Sequence, residues 1–523
     1  MMLDEISQEK QALKNSAVIM FFKVLGLASA LLLDILIAAR IGPGTHTDAF
    51  FVAFTIPQLT AAILFLVCNS VLVPVFTEAI TSEGKGDPWR LFSVVANSST
   101  LFLSAIALGG IALSPLVIAL TAPGLEPSTA QLAVSLNRLL LLLIIPTALV
   151  EVMNAMLNAH HRFAVPASAQ FIQYAVAALV VLVLAPTIGI ASVVLGYLAS
   201  APCQLLILVV ALRKVGGKYY LFLDFNYPGV KTIGKLAVPR LTTAMLSNGN
   251  ILLERFLGSF LPAGAVSALV YARRILRAMS SIFLDSVSVA LLPRLSAHFA
   301  QNDLPGLKRF TSLGVRLISF LAVPVTTGII ALNVPLVRLL YQRGAFDERA
   351  TLLTASILSF YILSLIPASV RRMIFSTYFA MQDTLTPLLL RAIELGFNIL
   401  LDVAFLGVMG APGLALGFAL SACLALMVNL WRLRRRIGAL EYPWKPYSLK
   451  VGGSAAIMGG VVFLLNRWAT RTLARSLVTH LSILALEVLV GLAVYSLLTT
   501  LMKVEEMGYL LKSIKSRLSP RRT

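Results

Sequence analysis

Cysteine, histidine and charged residues are scarce in this sequence. Its 523 residues include three cysteines and five histidines, and only 13% are Asp, Glu, Lys or Arg. Cys68, Cys203 and Cys423 lie far apart within apolar stretches, which argues against a disulfide framework or a cysteine-ligated metal site. The sequence also lacks a P-loop, a glycine-rich dinucleotide fingerprint and a His-Glu-x-x-His motif. We therefore predict no catalytic site, no metal site and no resident cofactor.

Long apolar runs dominate what is present. Hydrophobic residues make up 58% of the chain and the mean hydropathy is +0.88, which is more than a soluble core needs. A helix needs about 20 mostly apolar residues to cross a bilayer, because its backbone groups cannot stay unpaired in hydrocarbon. Fourteen such stretches predict an all-α integral membrane protein. Their centres lie near residues 29, 64, 105, 146, 176, 201, 246, 278, 322, 364, 398, 422, 458 and 490.

The second half of the chain repeats the first at an offset of about 220 residues. Corresponding positions are Pro115 and Pro335, Gly189 and Gly410, Gly196 and Gly417, and Ser200 and Ser421. Each repeat holds six spans, so the two repeats should run parallel about an axis along the membrane normal. The predicted domains are an N-terminal lobe (1–230, helices 1–6), a C-terminal lobe (231–440, helices 7–12), and residues 441–523 with helices 13–14 and a basic tail. Two related lobes indicate a transporter with a cavity between them.

The net charge of +20 would suggest nucleic-acid binding in a soluble chain, but the positions of Lys and Arg suggest otherwise. These residues concentrate in alternate connections, as the positive-inside rule requires. The connections near residues 45, 125, 187, 262 and 410 contain no Lys or Arg, which places them outside and both termini in the cytoplasm. Two outer connections depart from the rule, with Arg338, Arg343 and Arg349 in one and Arg467, Arg471 and Arg475 in the other. Membrane lipids, and not nucleic acid, are the expected partners.

Basic residues inside the predicted spans form the first candidate site, because charge is costly there. Helix 8 carries Arg273, Arg274 and Arg277, and helix 1 carries Lys23. A cavity lined by these residues would bind an anion, and arginine suits phosphate through bidentate hydrogen bonds. The alternative is that these side chains snorkel to an interface or pair with an acidic residue, namely Asp285, Glu151 or Glu254.

Helix 11 carries the second candidate site. Glu394, Asn398 and Asp402 follow one another at four-residue spacing and therefore share one helical face. Their oxygen atoms suit a sodium ion or a proton, which predicts a coupling-ion site in the second half. The alternative is a polar stripe packed against Arg391 or a neighbouring helix.

Prolines also fall within the predicted spans, at Pro57, Pro146, Pro239 and Pro324. Proline removes a backbone donor and bends a helix. These residues are expected either to allow bending as the lobes move or to be tolerated without motion.

The segment Thr47-Asp48-Ala49-Phe50-Phe51-Val52-Ala53-Phe54 leading to Pro57 resembles the start of the second helix in the MurJ/MviN lipid II flippases, members of the MOP exporter superfamily. Other similar segments, in chain order, are Lys23-Val24-Leu25-Gly26, Thr121-Ala122-Pro123-Gly124, Leu157-Asn158 with Arg162-Phe163 and Pro166, Tyr271-Ala272 with Arg274, Gln342 with Gly344 and Phe346, and Gln382-Asp383 with Thr386-Pro387. The resemblance covers roughly residues 15–440.

The resemblance implies a bundle of fourteen helices whose two lobes alternate between inward-open and outward-open states in the bacterial cytoplasmic membrane. The implied substrate is lipid II, an undecaprenyl-pyrophosphate-linked peptidoglycan precursor, moved from the inner to the outer leaflet. By position, Lys23 and Arg274 would hold the pyrophosphate, and Asp48 matches an acidic residue near the outer gate. Sodium, protons or membrane potential are the expected energy sources, and cell-wall synthesis proteins are candidate partners.

The sequence departs from the family at charged positions. Ser29 stands where family members usually carry Arg, Thr60-Ala61-Ala62 where they carry a basic residue, and Leu66-Val67-Cys68 where they carry an acidic-Gly pair. Arg273 and Arg277 would keep the cavity basic from helix 8. These departures leave open a flippase for another polyprenyl-linked oligosaccharide, such as an exopolysaccharide repeat unit. A cation-coupled drug exporter fits a basic cavity poorly, and a membrane scaffold without transport is the last alternative.

Overall fold

The computed structural model describes residues 2–81, 87–224, 227, 229–283, 285–440, 442–472 and 477–508. These residues fall into two compact units, one of Met1–Ser267 with Arg343–Asp347 and one of Ala268–Gln342 with Glu348–Thr523. The domain boundaries expected at residues 230 and 440 stay predictions. The basic tail after residue 508 lies outside the described residues.

The first unit is built from eleven helices and one π-helical turn within the described residues. They are α1 (Met2–Arg40), α2 (Thr45–Ala53), α3 (Thr55–Val67), the π-helical turn (Cys68–Leu72), α4 (Val73–Thr81), α5 (Pro88–Ala112), α6 (Ser114–Thr121), α7 (Pro127–Leu141), α8 (Ile144–Ala159), α9 (Ala164–Ile188), α10 (Ala191–Lys214) and α11 (Val230–Gly258).

The next helix, α12 (Ala265–Phe283), begins three residues before the second unit does. The remaining helices of the second unit are α13 (Asp285–Ala300), α14 (Leu304–Ala331), α15 (Asn333–Tyr341), α16 (Glu348–Leu363), α17 (Leu365–Ala380), α18 (Leu385–Met409), α19 (Ala411–Ile437), α20 (Trp444–Thr472) and α21 (Leu477–Leu501).

The helices confirm the predicted all-α membrane architecture. Twelve helical stretches of the described residues are long and apolar enough to cross a membrane. The helices α11 and α12 are also long, with 29 and 19 residues, but carry more charge, and with them the number of candidate spans reaches the predicted fourteen. Thirteen of the fourteen predicted span centres lie within a helix, and the other, residue 364, lies at the break between α16 and α17 inside one candidate span. The apolar runs alone therefore located the spans.

Three of the spans are interrupted, and each interruption precedes a proline. The breaks lie between α2 and α3, between α7 and α8, and between α16 and α17. Pro57, Pro146 and Pro367 each occupy the third position of the helix that follows the break. A first-turn residue has no intrahelical acceptor for its N–H, so proline is tolerated there. Pro239 and Pro324 instead lie inside the continuous helices α11 and α14.

The internal repeat is visible in the backbone of its glycines. Gly189 ends α9 with φ +54°, and Gly410 ends α18 with φ +62°. Residues with a Cβ atom rarely adopt this conformation. In the helices that follow, a Cβ atom on Gly196 would lie 2.9 Å from the carbonyl oxygen of Ala177, and one on Gly417 would lie 2.9 Å from the nitrogen of Asp402. The repeated glycines therefore allow an equivalent, tightly packed helical hairpin in each unit, α9–α10 in the first and α18–α19 in the second.

The surface of α18 shows the reversed polarity of a helix in lipid. Its polar residues Glu394, Asn398 and Asp402 are buried, whereas Leu400 and Val403 are 67% and 57% exposed. In water the apolar face would be the buried one. This arrangement keeps the charged side chains inside the second unit and exposes apolar side chains to the lipid tails.

The centre of the first unit is α8, which packs against α3, α4, α5, α9, α10 and the π-helical turn. Its apolar residues join a core cluster that includes Phe76, Phe92, Met156 and Leu208. Glu151, the charged side chain of α8, is half-buried among these helices.

In the second unit, the hairpin of α20 and α21 packs on α14. The Arg316 guanidinium contacts Glu505 at 2.8 Å and the fully buried Glu506 at 3.1 Å, and it lies 3.9 Å from the ring centroid of Tyr442. The Tyr447 hydroxyl donates to the carbonyl oxygen of Arg316 at 2.6 Å. Polar contacts thus attach α20 and the segment after α21 to α14, and the buried pair of Arg316 with Glu506 is costly to break.

Candidate functional site

The three arginines of α12 lie in different surroundings. Arg273 donates a hydrogen bond to the Tyr361 hydroxyl at 3.1 Å, and its guanidinium lies 5.0 Å from the Tyr361 ring centroid and 4.8 Å from that of Phe418. Aromatic faces attract a guanidinium. The side chains of α16 and α19 therefore hold Arg273 within the second unit.

Arg274 and Arg277 form the basic pair of this helix. Three residues apart, they lie on neighbouring positions of one helical face and interact electrostatically with each other. Arg274 is half-buried and also interacts with Tyr341, which is fully buried, whereas Arg277 is exposed. The rings of Tyr341 and Tyr271 pack with centroids 4.8 Å apart. Two adjacent cations, one of which lies beside this tyrosine pair, suit a doubly charged anion.

The remaining predicted cation, Lys23, lies in the first unit. It is exposed on α1, a helix that packs along α9. A Cβ atom on Gly26, one turn later, would lie 3.8 Å from the backbone nitrogen of Phe171 on α9. The ammonium group is thus carried on a well-anchored helix. Its role in binding the substrate stays a prediction.

The predicted gate residue Asp48 is buried, with 4% of its surface exposed. Its carboxylate accepts two backbone hydrogen bonds, from the N–H of Gly264 to Oδ2 at 2.7 Å and from the N–H of Ser267 to Oδ1 at 2.7 Å. Ser267 lies in the first turn of α12, and Gly264 directly precedes this helix. The N–H groups at these positions have no intrahelical acceptor. Asp48 therefore caps a helix that is more than 200 residues away in the sequence.

The polar face of α18 is buried as a whole, and its first member is paired. Glu394 binds Arg371 through Oε1 and Arg391 through Oε2, the second at 3.0 Å. Arg371 lies on α17 and is itself buried. A buried carboxylate with two arginines already has its charge balanced. Packing against Arg391 is the alternative to an ion site that the sequence left open for this face. Because Glu394 does pair with Arg391, it has a structural role whether or not an ion binds nearby.

The other two residues of this face, Asn398 and Asp402, follow Glu394 about one and two turns later along α18. Asn398 and Asp402 are 1% and 4% exposed. The amide nitrogen of Asn398 is shielded and has no hydrogen-bond partner among the described residues. Asp402 lies against Gly417 of α19, where a Cβ atom would come within 2.3 Å of its Oδ1. The glycine makes room for the carboxylate and lets the two helices approach.

Sequence analysis did not find the aromatic and ionic partners of these residues. Tyr361 and Phe418 are 88 and 145 positions from Arg273 in the sequence, and neither belongs to a recognisable motif. Of the acidic residues considered as partners for the arginines, Glu254 pairs with Arg255 at 2.9 Å, and Glu151 accepts a hydrogen bond from Asn154. The side chain of Asp285 lies outside the described residues.

The fold and the charged residues define a polytopic α-helical membrane protein. A solved structure described as an inward-facing multidrug resistance MATE family transporter of the MOP superfamily matches with a TM-score of 0.68 at 14% identity, over 82% of this chain and 98% of the other. A structure of lipid II flippase MurJ in an inward closed conformation matches with a TM-score of 0.78 at 24% identity, over 94% and 98% of the two chains.

The sequence matches the family described as lipid II flippase MurJ over residues 37–506, and the chain belongs to this family. Among its relatives is a probable lipid II flippase MurJ of Rhizobium tropici, 27% identical over 502 residues, which cover 92% of this chain and 93% of the relative. The family membership expected from the motifs is thus confirmed along nearly the whole chain.

Proposed function

We propose that this protein is a flippase that moves lipid II from the inner to the outer leaflet of the bacterial cytoplasmic membrane by alternating access. The observation that carries the proposal is the family match over residues 37–506. The comparisons do not favour the drug exporter, the scaffold or the flippase of another saccharide.

The chemistry of the substrate supports the assignment of the cations. A pyrophosphate carries two or more negative charges and needs a polar path through hydrocarbon. The pair Arg274 and Arg277 offers adjacent guanidinium groups, which bind phosphate oxygens through parallel N–H donors. We assign the pyrophosphate to Arg274 and Arg277 with Lys23. Arg273, which is held by Tyr361 and Phe418, serves as a secondary contact.

Transport against a gradient also requires an energy source, which we assign to a sodium ion at Asn398 and Asp402. Both side chains are buried on one face of α18 and supply the oxygen ligands that a hard cation prefers. Glu394, on the same helical face, contributes by balancing the charges of Arg371 and Arg391. Protons and membrane potential are the other sources that this protein would use. Both termini are proposed to be cytoplasmic, and cell-wall synthesis proteins are proposed partners.

Sodium should stabilise the purified protein, and Asp402→Asn should remove that effect. A ligand present at about 100 times its dissociation constant stabilises the folded state by about 2.7 kcal/mol. The measurement is the melting temperature in detergent with sodium or with equimolar potassium. Asp347→Asn, at an exposed aspartate, is the control and should respond like the wild type. An equal sodium response in Asp402→Asn would exclude this carboxylate as a ligand.

The function itself is tested by complementation. The gene is expressed in a bacterium depleted of its own lipid II flippase, and membrane insertion is checked by immunoblotting. Restored growth is the expected result. Absence of growth at confirmed membrane expression would contradict the assignment of lipid II as the substrate.

A further inference from the structure

A carboxyl group at the centre of the first unit has no role in the site described above. Glu151 lies on α8, the helix around which the other helices of that unit pack. Its Oε2 atom is shielded from solvent and has no hydrogen-bond partner among the described residues. The side chain of Asn154, one turn later, donates a hydrogen bond to the carboxyl group. The Oδ1 atom of Asn154 is also shielded and without a partner in the described part of the chain.

The surroundings of Glu151 offer it no counter-cation. The titratable groups on the elements packed against α8 are Cys68 on the π-helical turn, Glu78 on α4, Arg90 on α5, Tyr174 on α9, and Tyr197, Cys203, Arg213 and Lys214 on α10. Of these, Cys68 interacts electrostatically with Glu151, and it is a thiol and not a cation. Within the described residues no Lys, Arg or His forms an ion pair with Glu151.

An ionised carboxylate in this position is energetically unfavourable. Glu151 is half-buried, and its Oε2 atom is shielded from solvent. Shielding a charged oxygen without a partner costs more than shielding the neutral acid, which favours uptake of a proton. Protonation also turns the carboxyl group of Glu151 into a hydrogen-bond donor. The neighbouring Oδ1 atom of Asn154 can accept that hydrogen bond, because it has no other donor among the described residues. The π-helical turn at Cys68–Leu72, between α3 and α4, packs against α8, and such a distortion is common at functional sites.

We propose that Glu151 is a proton-binding site of the first unit, distinct from the sodium site assigned to α18. A sodium ion fits this position less well, because a hard cation requires several oxygen ligands and Glu151 and Asn154 contribute one unpartnered oxygen each. One proton binds to the carboxylate when the group is shielded and leaves when water reaches it. The link from this proton to substrate movement rests on the proposed flippase function.

Infrared difference spectroscopy of the full-length protein in liposomes tests the site without transport. The wild type should show a carboxylic acid C=O band that persists at pH values where exposed glutamates are ionised and disappears at higher pH. Glu151→Gln, which mimics the neutral acid, should lose this band. Glu78→Gln, at an exposed glutamate of neighbouring α4, is the matched control and should keep it.

Two results would overturn the proposal. One is a band unchanged in Glu151→Gln. The other is a band that responds to sodium and not to pH, which would indicate a metal cation at Glu151. In liposomes containing lipid II, Glu151→Gln should also lose the dependence of the flipping rate on pH. If the wild type did not flip lipid II, the proposed function would fail, while the infrared result would still decide whether Glu151 binds a proton.

Discussion

Arg274→Ala is expected to abolish lipid II flipping while leaving the amount of protein in the membrane unchanged. The substitution removes one of two neighbouring guanidinium groups on α12 and leaves the pyrophosphate underneutralised. Loss of one partner of a desolvated charge pair costs about 2–5 kcal/mol, which corresponds to a loss of about 30-fold or more. The measurement is the initial rate of flipping in liposomes, together with growth of the flippase-depleted strain.

Two further variants separate charge from geometry at this position. Arg274→Lys keeps the charge but loses the planar pair of donors, so its rate should fall between those of Arg274→Ala and the wild type. Arg309→Ala removes an exposed arginine of α14 and should flip at the wild-type rate. If Arg274→Ala flipped lipid II as fast as Arg309→Ala, Arg274 would not bind the substrate.

The second large effect is expected at Asp48. Asp48→Ala removes both hydrogen bonds to the backbone N–H groups of Gly264 and Ser267. Hydrogen bonds to charged groups contribute about 1.5–3 kcal/mol each, so the conformation that contains them should be disfavoured by about 3 kcal/mol, or about a hundredfold. If that conformation belongs to the transport cycle, flipping should fall by at least tenfold.

The control variants for Asp48 alter the residues that form its hydrogen bonds with the start of α12. Asp48→Asn keeps an acceptor oxygen but loses the charge, and neutral hydrogen bonds are roughly half as strong, so an intermediate rate is expected. Ser267→Ala keeps the backbone donor and should retain most of the activity. Equal rates for Asp48→Ala and the wild type would mean that this cap is not part of the gate.

The sequence predicted the elements of this protein well, because the signals for a membrane helix are local. Apolar runs placed every span, and paired glycines such as Gly189 and Gly410 revealed the duplication before the structure showed their matching backbone angles. The four-residue spacing of Glu394, Asn398 and Asp402 correctly predicted one shared face.

The partners of the charged residues could not be predicted, because they come from distant helices. Arg273 was grouped with Arg274 and Arg277 on spacing alone, yet Tyr361 and Phe418 hold it apart from them. The resemblance to the family identified Asp48, but not the N–H groups that it caps. Glu151 was noted only as a partner for an arginine, because a sequence does not show which buried oxygen lacks a donor.

Translocation of lipid II by the purified protein tests the central claim most directly. The protein is reconstituted in liposomes that contain fluorescent lipid II, and the fraction that becomes accessible to a membrane-impermeant quencher is followed over time. We predict translocation of lipid II in wild-type liposomes, with none above background in protein-free liposomes or with Arg274→Ala. Translocation of a different polyprenyl-linked oligosaccharide, with lipid II left in place, would contradict the account.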